Sequence, residues 1–215
     1  MSSPEAVLSE EQLDYLTEMM NVGIGNAAAA LEQLLQCPVE VKIPDVHVLA
    51  SSELSAFFKV PTMAVACAKM RIIGDVRGEL FFVVPDEERP QLIELAERAI
   101  LEQEKTGWGD ARKEEWDASV LMEIANISAG AYLLSIYKFS KLNLFHTVPD
   151  LAIDMIQSIL DESLARRISE DPVIILIENN FILGQQQLPV FFLFLIPTVE
   201  SMKRLIDSMD AARSM

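Results

Sequence analysis

One four-residue pattern occurs twice in this 215-residue chain, 105 positions apart. In each copy a polar residue, a glutamate, an asparagine and a glycine follow one another at fixed spacing: Asp14, Glu18, Asn21 and Gly25, then Ser119, Glu123, Asn126 and Gly130. Each Asn is followed, after 22 intervening residues, by a proline, Pro44 or Pro149. The spacing places all four residues on one side of an α-helix. We call these sets the first and second stripes, and they predict a fold built from two similar halves.

Hydrophobic periodicity and turn residues predict the same order of elements in both halves. In the first half we expect a helix, a strand, a short helix, two strands and a helix: Leu13–Leu35, Val39–Ile43, Ser51–Phe58, Met63–Ile73, Glu79–Val84 and Glu87–Glu104. In the second half we expect Glu114–Phe139, Lys141–Val148, Ile153–Ile168, Val173–Leu183, Val190–Ile196 and Val199–Met209. Lys105–Lys113 joins the halves.

These elements predict an α/β (α+β) fold with a pseudo-two-fold axis. One half would have only three strands, so two halves sharing six strands and one core is the simplest way to bury the apolar strand faces. We therefore expect a single domain over residues 1–215, made of two repeats, about 10–105 and 112–213. The two long helices that carry the stripes are expected to be exposed.

The net charge of −16 limits the classes of partner. It argues against nucleic acid and anionic membranes and leaves basic protein surfaces as easier partners, although it could serve solubility alone. The strongly apolar run Val190–Ile196 is too short to span a bilayer, and residues 1–12 do not form a secretory signal. We expect a soluble cytoplasmic protein in which Cys37 and Cys67 are buried, without metal-ligand spacing.

The stripes lie on the side of each helix away from its apolar residues. For one copy, an ordinary solvated helix face explains Glu and Asn, but two copies with the same spacing favour a partner surface. Gly25 and Gly130 each cost their helix about 1 kcal/mol relative to Ala, and they clear room next to the Asn. A local kink is the alternative, which Gly23 keeps open. A carboxylate can pair with a cation, and a carboxamide can orient water without acting as a general base near neutral pH.

The pattern Asp or Ser, three residues, Glu, two residues, Asn, 22 residues, Pro resembles the signature of the CheC/CheX/FliY phosphatases of bacterial chemotaxis. Both copies match in full, and the sequence NVGIGNAAAAL after Glu18 is also typical of that family. The duplicated layout covers nearly the whole chain, and two complete motifs resemble CheC most.

The resemblance implies that the chain dephosphorylates a phosphorylated CheY-like response regulator. Asn21 and Asn126 would orient the attacking water, and Glu18 and Glu123 would pair with a lysine of the regulator. Asp14, Ser119, both stripe glycines and both prolines would support them. Mg²⁺ would belong to the regulator, so this chain needs no cofactor or metal of its own. CheD is a further candidate partner of the family.

A different class of function also fits the resemblance. A non-catalytic module that binds a response regulator, the flagellar switch or CheD would share the fold without hydrolysis. A pure binder has no need of Glu and Asn in both helices, so the stripes favour the enzyme. His47 and His146 fall at non-equivalent repeat positions, and we interpret them as core or edge histidines rather than catalytic groups.

Overall fold

A computed structural model of the chain describes residues 8–42, 45–50, 53, 63–101, 113–165, 173–183, 186–196 and 199–213. Its first half contains, in order, α1 (Glu10–Leu35), β1 (Val39–Val41), β2 (Asp45–Ala50), β3 (Ala64–Gly74), β4 (Gly78–Pro85) and α2 (Arg89–Leu101). Its second half contains α3 (Lys113–Ser140), β5 (Leu144–His146), β6 (Asp150–Met155), α4 (Ile156–Ala165), β7 (Val173–Leu183), β8 (Gln186–Ile196) and α5 (Val199–Arg213). The predicted mixed α and β fold class is therefore correct.

The eight strands form one sheet in which every described pairing is antiparallel. The strand order is β1-β7-β8-β4-β3-β5, with β2 continuing along the β7 edge and β6 along the β3 edge. β1 and β2 of the first half pair with β7 of the second, and β5 and β6 pair with β3. Each half thus completes the sheet of the other, and β4 pairs with β8 at the centre.

The strand order is symmetric about the β8–β4 pair. β1 and β5 occupy the two ends, β7 and β3 come next, and β8 and β4 meet at the centre, so each strand of one half has its counterpart at the matching position. The ends of the two long helices match as well. Gln36 follows α1 with φ 50°, and Lys141, which lies 105 positions later, follows α3 with φ 60°. Two similar halves related by a pseudo-two-fold axis would give this arrangement.

The sheet separates two apolar clusters, because successive side chains along a strand point to opposite faces. In β4, Leu80, Phe82 and Val84 join the larger cluster, with buried residues of α1, α2, α3 and α5. Phe81 and Val83 join the smaller cluster, which α4 covers. β4 is buried along its whole length, so it is the central strand of the fold.

The prediction of six strands is incomplete, because the described residues form eight strands. β2 and β6 are the additional strands. β2 pairs with β7 and β6 pairs with β3, and without them the backbone groups along those edges of β7 and β3 would be unpaired. The two long helices are buried on the side that faces the sheet, so only their other side is available to a partner.

The predicted helix Ile153–Ile168 begins too early. Ile153 and Met155 belong to β6, which pairs with β3, and α4 starts at Ile156. The predicted strand Lys141–Val148 contracts to the three residues of β5. The predicted helix Ser51–Phe58 lies outside the described residues except for Glu53, and so does the joint Lys105–Lys113 except for Lys113.

The two cysteines differ in burial. Cys67 on β3 is fully buried, as predicted, and burial raises the pKa of its thiol to about 12. Cys37 lies in the turn after α1 and is half-buried, so its prediction as a buried residue is only partly correct. Burial and the nearby Glu32 carboxylate raise the pKa of Cys37 as well.

Among the described helices, α3 is long and apolar enough to cross a membrane by length and composition alone. Within its most apolar stretch, 56% of the residues are buried inside the fold. α3 is therefore a core helix, whose apolar character serves packing against α1 and the sheet.

Candidate functional site

The helix that carries the first stripe has a well-defined start. The Ser9 hydroxyl accepts a hydrogen bond from the Gln12 backbone N–H, and the Gln12 side chain accepts one from the Ser9 N–H. This capping box satisfies two backbone donors of the first turn, and Glu10 and Glu11 lie where the helix dipole favours negative charge. Gln12 also donates to Asp210 on α5. The start of α1 is thereby fixed relative to α5.

The first stripe lies on the exposed side of α1. Asp14, Glu18 and Gly25 are exposed, and Asn21 is half-buried. The opposite side contributes the core residues Leu16, Met20, Ile24, Ala27 and Leu31, which the periodicity predicted. Leu13 was predicted to join them but is 38% exposed, at the edge of a groove that it lines with residues of β2. The stripe is therefore a surface feature of a helix that is otherwise anchored in the core.

The second stripe follows the same pattern on α3. Ser119 and Glu123 are exposed, while Asn126 and Gly130 are half-buried. The Ser119 hydroxyl donates to the Glu115 carbonyl within the helix, so it is already engaged. The structure thus places each predicted Glu and Asn one turn apart on the same exposed side of its own helix.

The four Glu and Asn side chains of the stripes make no hydrogen bond or ion pair with any described residue. The Oδ1 atom of Asn21 is shielded from water and still has no hydrogen-bond partner in this part of the chain. A buried polar atom without a partner costs about 1–3 kcal/mol, so such atoms are rare and need an explanation. The two exposed carboxylates and the two half-buried carboxamides are therefore not engaged within the described part of the chain.

α1 and α3 pack against each other beside the stripes. Tyr15 on α1 donates a hydrogen bond to the Phe139 carbonyl near the end of α3, and the two rings meet edge to face. Asn26 Nδ2 donates to Ser135 Oγ at 2.7 Å. The Tyr132 hydroxyl, whose burial raises its pKa well above the usual value, points to the sulfur of Met20. These contacts hold the two stripe helices in a fixed relation.

The glycines of α1 have two different functions. A Cβ atom added to Gly23 would lie 2.8 Å from the Tyr132 ring, so Gly23 allows α3 to approach. A Cβ atom added to Gly25 would meet no atom within 4 Å, so packing within the described structure does not require glycine there. Gly23 is explained by helix packing rather than by a kink, and the space at Gly25 is open to a partner.

This difference predicts opposite effects of the same substitution. Ala is favoured over Gly in a helix by about 1 kcal/mol, so Gly25→Ala should raise the free energy of unfolding by about that amount. Gly23→Ala gains the same propensity but overpacks a buried interface, which typically costs about 1–3 kcal/mol, so we expect a net loss of about 1 kcal/mol. Urea unfolding with an unchanged m-value measures both. Shifts of equal sign would contradict the assignment.

The second stripe glycine has a different neighbour. A Cβ atom at Gly130 would lie 3.6 Å from His146 Nε2, an ordinary contact distance. The His146 Nδ1 atom lies 3.0 Å from the Thr147 carbonyl, to which it can donate, and this contact fixes the ring. The counterpart of His146 in the first copy, 105 positions earlier, is Val41, so this contact with the stripe glycine is specific to the second copy.

Of the two motif prolines, Pro149 lies within the described residues. Pro149 directly precedes β6 and is half-buried, a position where the missing N–H is tolerated. Pro44 precedes β2 but lies outside the described residues. Within the described ranges, no cluster of three His, Cys, Asp or Glu side chains is arranged to hold a metal ion.

Comparison with known proteins places these features in context. No family model matches the chain. The CheY-P phosphatase CheC of Bacillus subtilis (strain 168) is 29% identical over 206 residues, which cover 95% of this chain and 97% of CheC. The similarity therefore extends over both stripes and nearly all elements between them.

Solved structures share the fold at lower identity. FliY of Thermotoga maritima has a TM-score of 0.72 at 15% identity, covering 95% of this chain and 98% of that chain. A chain of the FliM–SpeE complex from H. pylori has a TM-score of 0.66 at 13% identity, covering 97% and 99%. A chain of the CheX–CheY–BeF3–Mg2+ complex from Borrelia burgdorferi has a TM-score of 0.50 at 15% identity, covering 80% and 94%. The predicted resemblance is confirmed: this chain is similar to CheC along its length and has the fold of CheC/CheX/FliY-type proteins.

Proposed function

We propose that this protein is a phosphatase that removes the phosphoryl group from a phosphorylated CheY-like response regulator. The observation that carries the proposal is the pair of stripes, each presenting a free Glu and a free Asn on the exposed side of a core helix. Similarity to a protein named CheY-P phosphatase supports it, and so does the shared fold with a CheX–CheY complex.

Each stripe supplies part of a reaction site, and the regulator supplies the rest. Asn21 or Asn126 would hold a water molecule in line with the phosphorus atom of the aspartyl phosphate. The water oxygen bonds to phosphorus as the bond to the aspartate oxygen breaks, which releases inorganic phosphate and the free carboxylate. Phosphoryl transfer depends mainly on positioning and on charge stabilisation by metal. A carboxamide is suited to the first task, and the regulator's Mg²⁺ would perform the second.

The glutamates would dock the regulator. Glu18 and Glu123 lie one turn before the asparagines and have no cation partner among the described residues. A lysine of the regulator would pair with them in a charge-assisted hydrogen bond. Gly25 and Gly130 would keep the neighbouring turn open to the regulator backbone, with Asp14 and Ser119 at the other end of each stripe.

The location and further partners follow from the same proposal. A protein that acts on a chemotaxis regulator would work in the cytoplasm. CheD is proposed as an additional partner on the basis of the family resemblance.

The alternative is a binding module without hydrolytic activity, either for a response regulator or in the flagellar switch. The fold shared with FliM is compatible with it. A binding module does not explain why a Glu and an Asn without partners recur at matching positions of both long helices. It also does not explain why the Asn21 amide oxygen is shielded without a hydrogen-bond partner. The stripes therefore favour hydrolysis.

The test is a measurement of phosphate lifetime across the response regulators of the host. Each regulator is phosphorylated with a small phosphodonor, the donor is removed, and loss of phosphate is followed with and without this protein. We expect faster loss for at least one regulator with a CheY-like fold. Unchanged lifetimes for every regulator would contradict the proposal.

A further inference from the structure

An apolar groove adjoins the second stripe. It has a volume of about 410 Å³ and runs from Gly130 along the C-terminal half of α3 to β5. Three large side chains line it and remain exposed: Leu134 by 51%, Tyr137 by 44% and Phe145 by 62%. Isolated exposed apolar residues are normal, but several lining one concave surface mark an interaction site. Gly130 belongs to both the groove and the stripe, so whatever docks on Asn126 lies beside this groove.

We call Leu134, Tyr137 and Phe145, with the residues beside them, the flank of the second stripe, and the first stripe has a different flank. The positions that correspond to Leu134, Tyr137 and Phe145, which lie 105 residues earlier, are Ala29, Glu32 and Glu40. All three are exposed. Where the second copy presents two aromatic rings, the first therefore presents two carboxylates. The Glu, Asn and Gly of the two stripes match, so beyond the change from Asp14 to Ser119 the two sites differ in their flanks.

The rim of the groove adds a charge difference. Lys138 and Lys141 are exposed at the end of α3, and the Lys141 ammonium lies 6.0 Å from the centre of the Tyr137 ring. Their counterparts in the first copy are Gln33 and Gln36. The Asp75 carboxylate also borders the groove, where it accepts hydrogen bonds from Asn143. The flanks still differ in charge, because the second adds Lys138 and Lys141 to its apolar surface, whereas the first has Glu32 and Glu40 beside Lys42.

We propose that the two stripes select different response-regulator surfaces. The second stripe docks a regulator that presents an aromatic or branched aliphatic side chain, with a carboxylate beside it, next to its phosphorylation site. The apolar side chain enters the groove and the carboxylate faces Lys138 and Lys141. The first stripe, with Glu32 and Glu40, favours a regulator with basic residues at that place. This inference rests on the proposed function and specifies the partner chemistry of each site.

The repeat provides the substitutions for the test. Leu134→Ala, Tyr137→Glu and Phe145→Glu together give the second flank the residues of the first. Asn21→Ala leaves only the second site to be measured, and Asn126→Ala leaves only the first. For a regulator with an apolar side chain beside its phosphorylation site, the triple substitution should raise the second-site KM about ten-fold or more, with kcat little changed. The expectation follows because buried apolar and aromatic anchors dominate docking affinity.

Two further variants make the result specific. Phe145→Glu alone changes the most exposed side chain of the three and should raise the second-site KM in the same direction by a smaller factor. Ile153→Ala removes an equally exposed branched side chain, 51%, from β6 and should leave the KM unchanged. A triple variant that leaves the second-site KM unchanged, or that raises the KM of both sites by the same factor, would overturn the selectivity.

Direct binding separates this inference from the proposed function. Calorimetric titration with the beryllofluoride-activated regulator reports docking without hydrolysis. If the triple variant binds more weakly than the wild type but the wild type does not shorten the phosphate lifetime, the groove docks the regulator and the proposed phosphatase activity is refuted. If the triple variant binds as tightly as the wild type and the wild type shortens the phosphate lifetime, docking in the groove is refuted and the proposed phosphatase activity is supported.

Discussion

The combined substitution of Asn21→Ala and Asn126→Ala should return the phosphoryl group of the regulator to its unaided lifetime. Each Asn is the group proposed to position the attacking water, and loss of one positioning contact in a transition state costs about 10²- to 10³-fold in rate. Removal of one Asn leaves the other site intact, so for a regulator that both sites accept only the double variant should lose acceleration completely. Single-turnover loss of phosphate from the regulator measures this directly.

The same variant should keep or gain stability. Neither side chain makes a hydrogen bond to the described residues, and Asn21 Oδ1 is shielded without a partner. Ala is a better helix former than Asn by about 0.5 kcal/mol per site, so urea unfolding should move to the same or a higher concentration. Gln91→Ala, which removes a half-buried amide from α2 outside both stripes and their flanks, is the matched control for rate. A double Asn variant that still accelerates phosphate loss would disprove the assignment.

The combined substitution of Glu18→Ala and Glu123→Ala should raise KM by about 10- to 10²-fold with a much smaller change in kcat. Loss of one partner from a close charge pair in an interface costs about 2–5 kcal/mol when the pair is buried and less at the rim. Because the lost contact is electrostatic, the KM of the variant should also depend less on ionic strength than that of the wild type. Initial rates over a range of regulator and salt concentrations measure both effects.

The matched control replaces two other glutamates, away from the stripes, so that the net charge of the protein changes by the same amount. Glu94 and Glu200 are exposed and form ion pairs with Arg98 and Arg204 within their own helices. Their joint replacement by Ala should leave the KM unchanged. If this control raises the KM as much as the stripe variant does, the glutamates contribute through net charge and not through docking.

Much of the fold could be predicted because local signals agreed with each other. The long helices have apolar residues at helical spacing, and these residues form the buried sides of both helices. β4 is an apolar run between Gly78 and Pro85, and its length and composition fit a central strand. The mixed fold class and most of the element order therefore follow from the sequence.

The missed strands depend on partners that the sequence does not reveal. β6 is exposed at most positions and is held as a strand by its pairing with β3, over 70 residues away in the chain. β2 is likewise a strand because β7 lies beside it. Such long-range pairing overrides weak local propensity, which is why Ile153 was assigned to a helix.

The stripes could be predicted because they recur, and the flank was missed because it does not. Glu and Asn match between copies, so comparison of the halves identified them. Tyr137 and Phe145 differ from Glu32 and Glu40, and a search for identity passes over such positions. Only the structure shows that these two rings line one groove beside Gly130.

The most direct test of the central claim is the phosphate lifetime of the regulator in its fully formed complex with this protein. Titration of the protein against the phosphorylated regulator gives the fraction bound, and loss of phosphate is measured at saturation. The account predicts that the lifetime falls by about 10²-fold, the scale of one positioning group. A saturated complex in which the lifetime is unchanged would show a binding module and contradict the account.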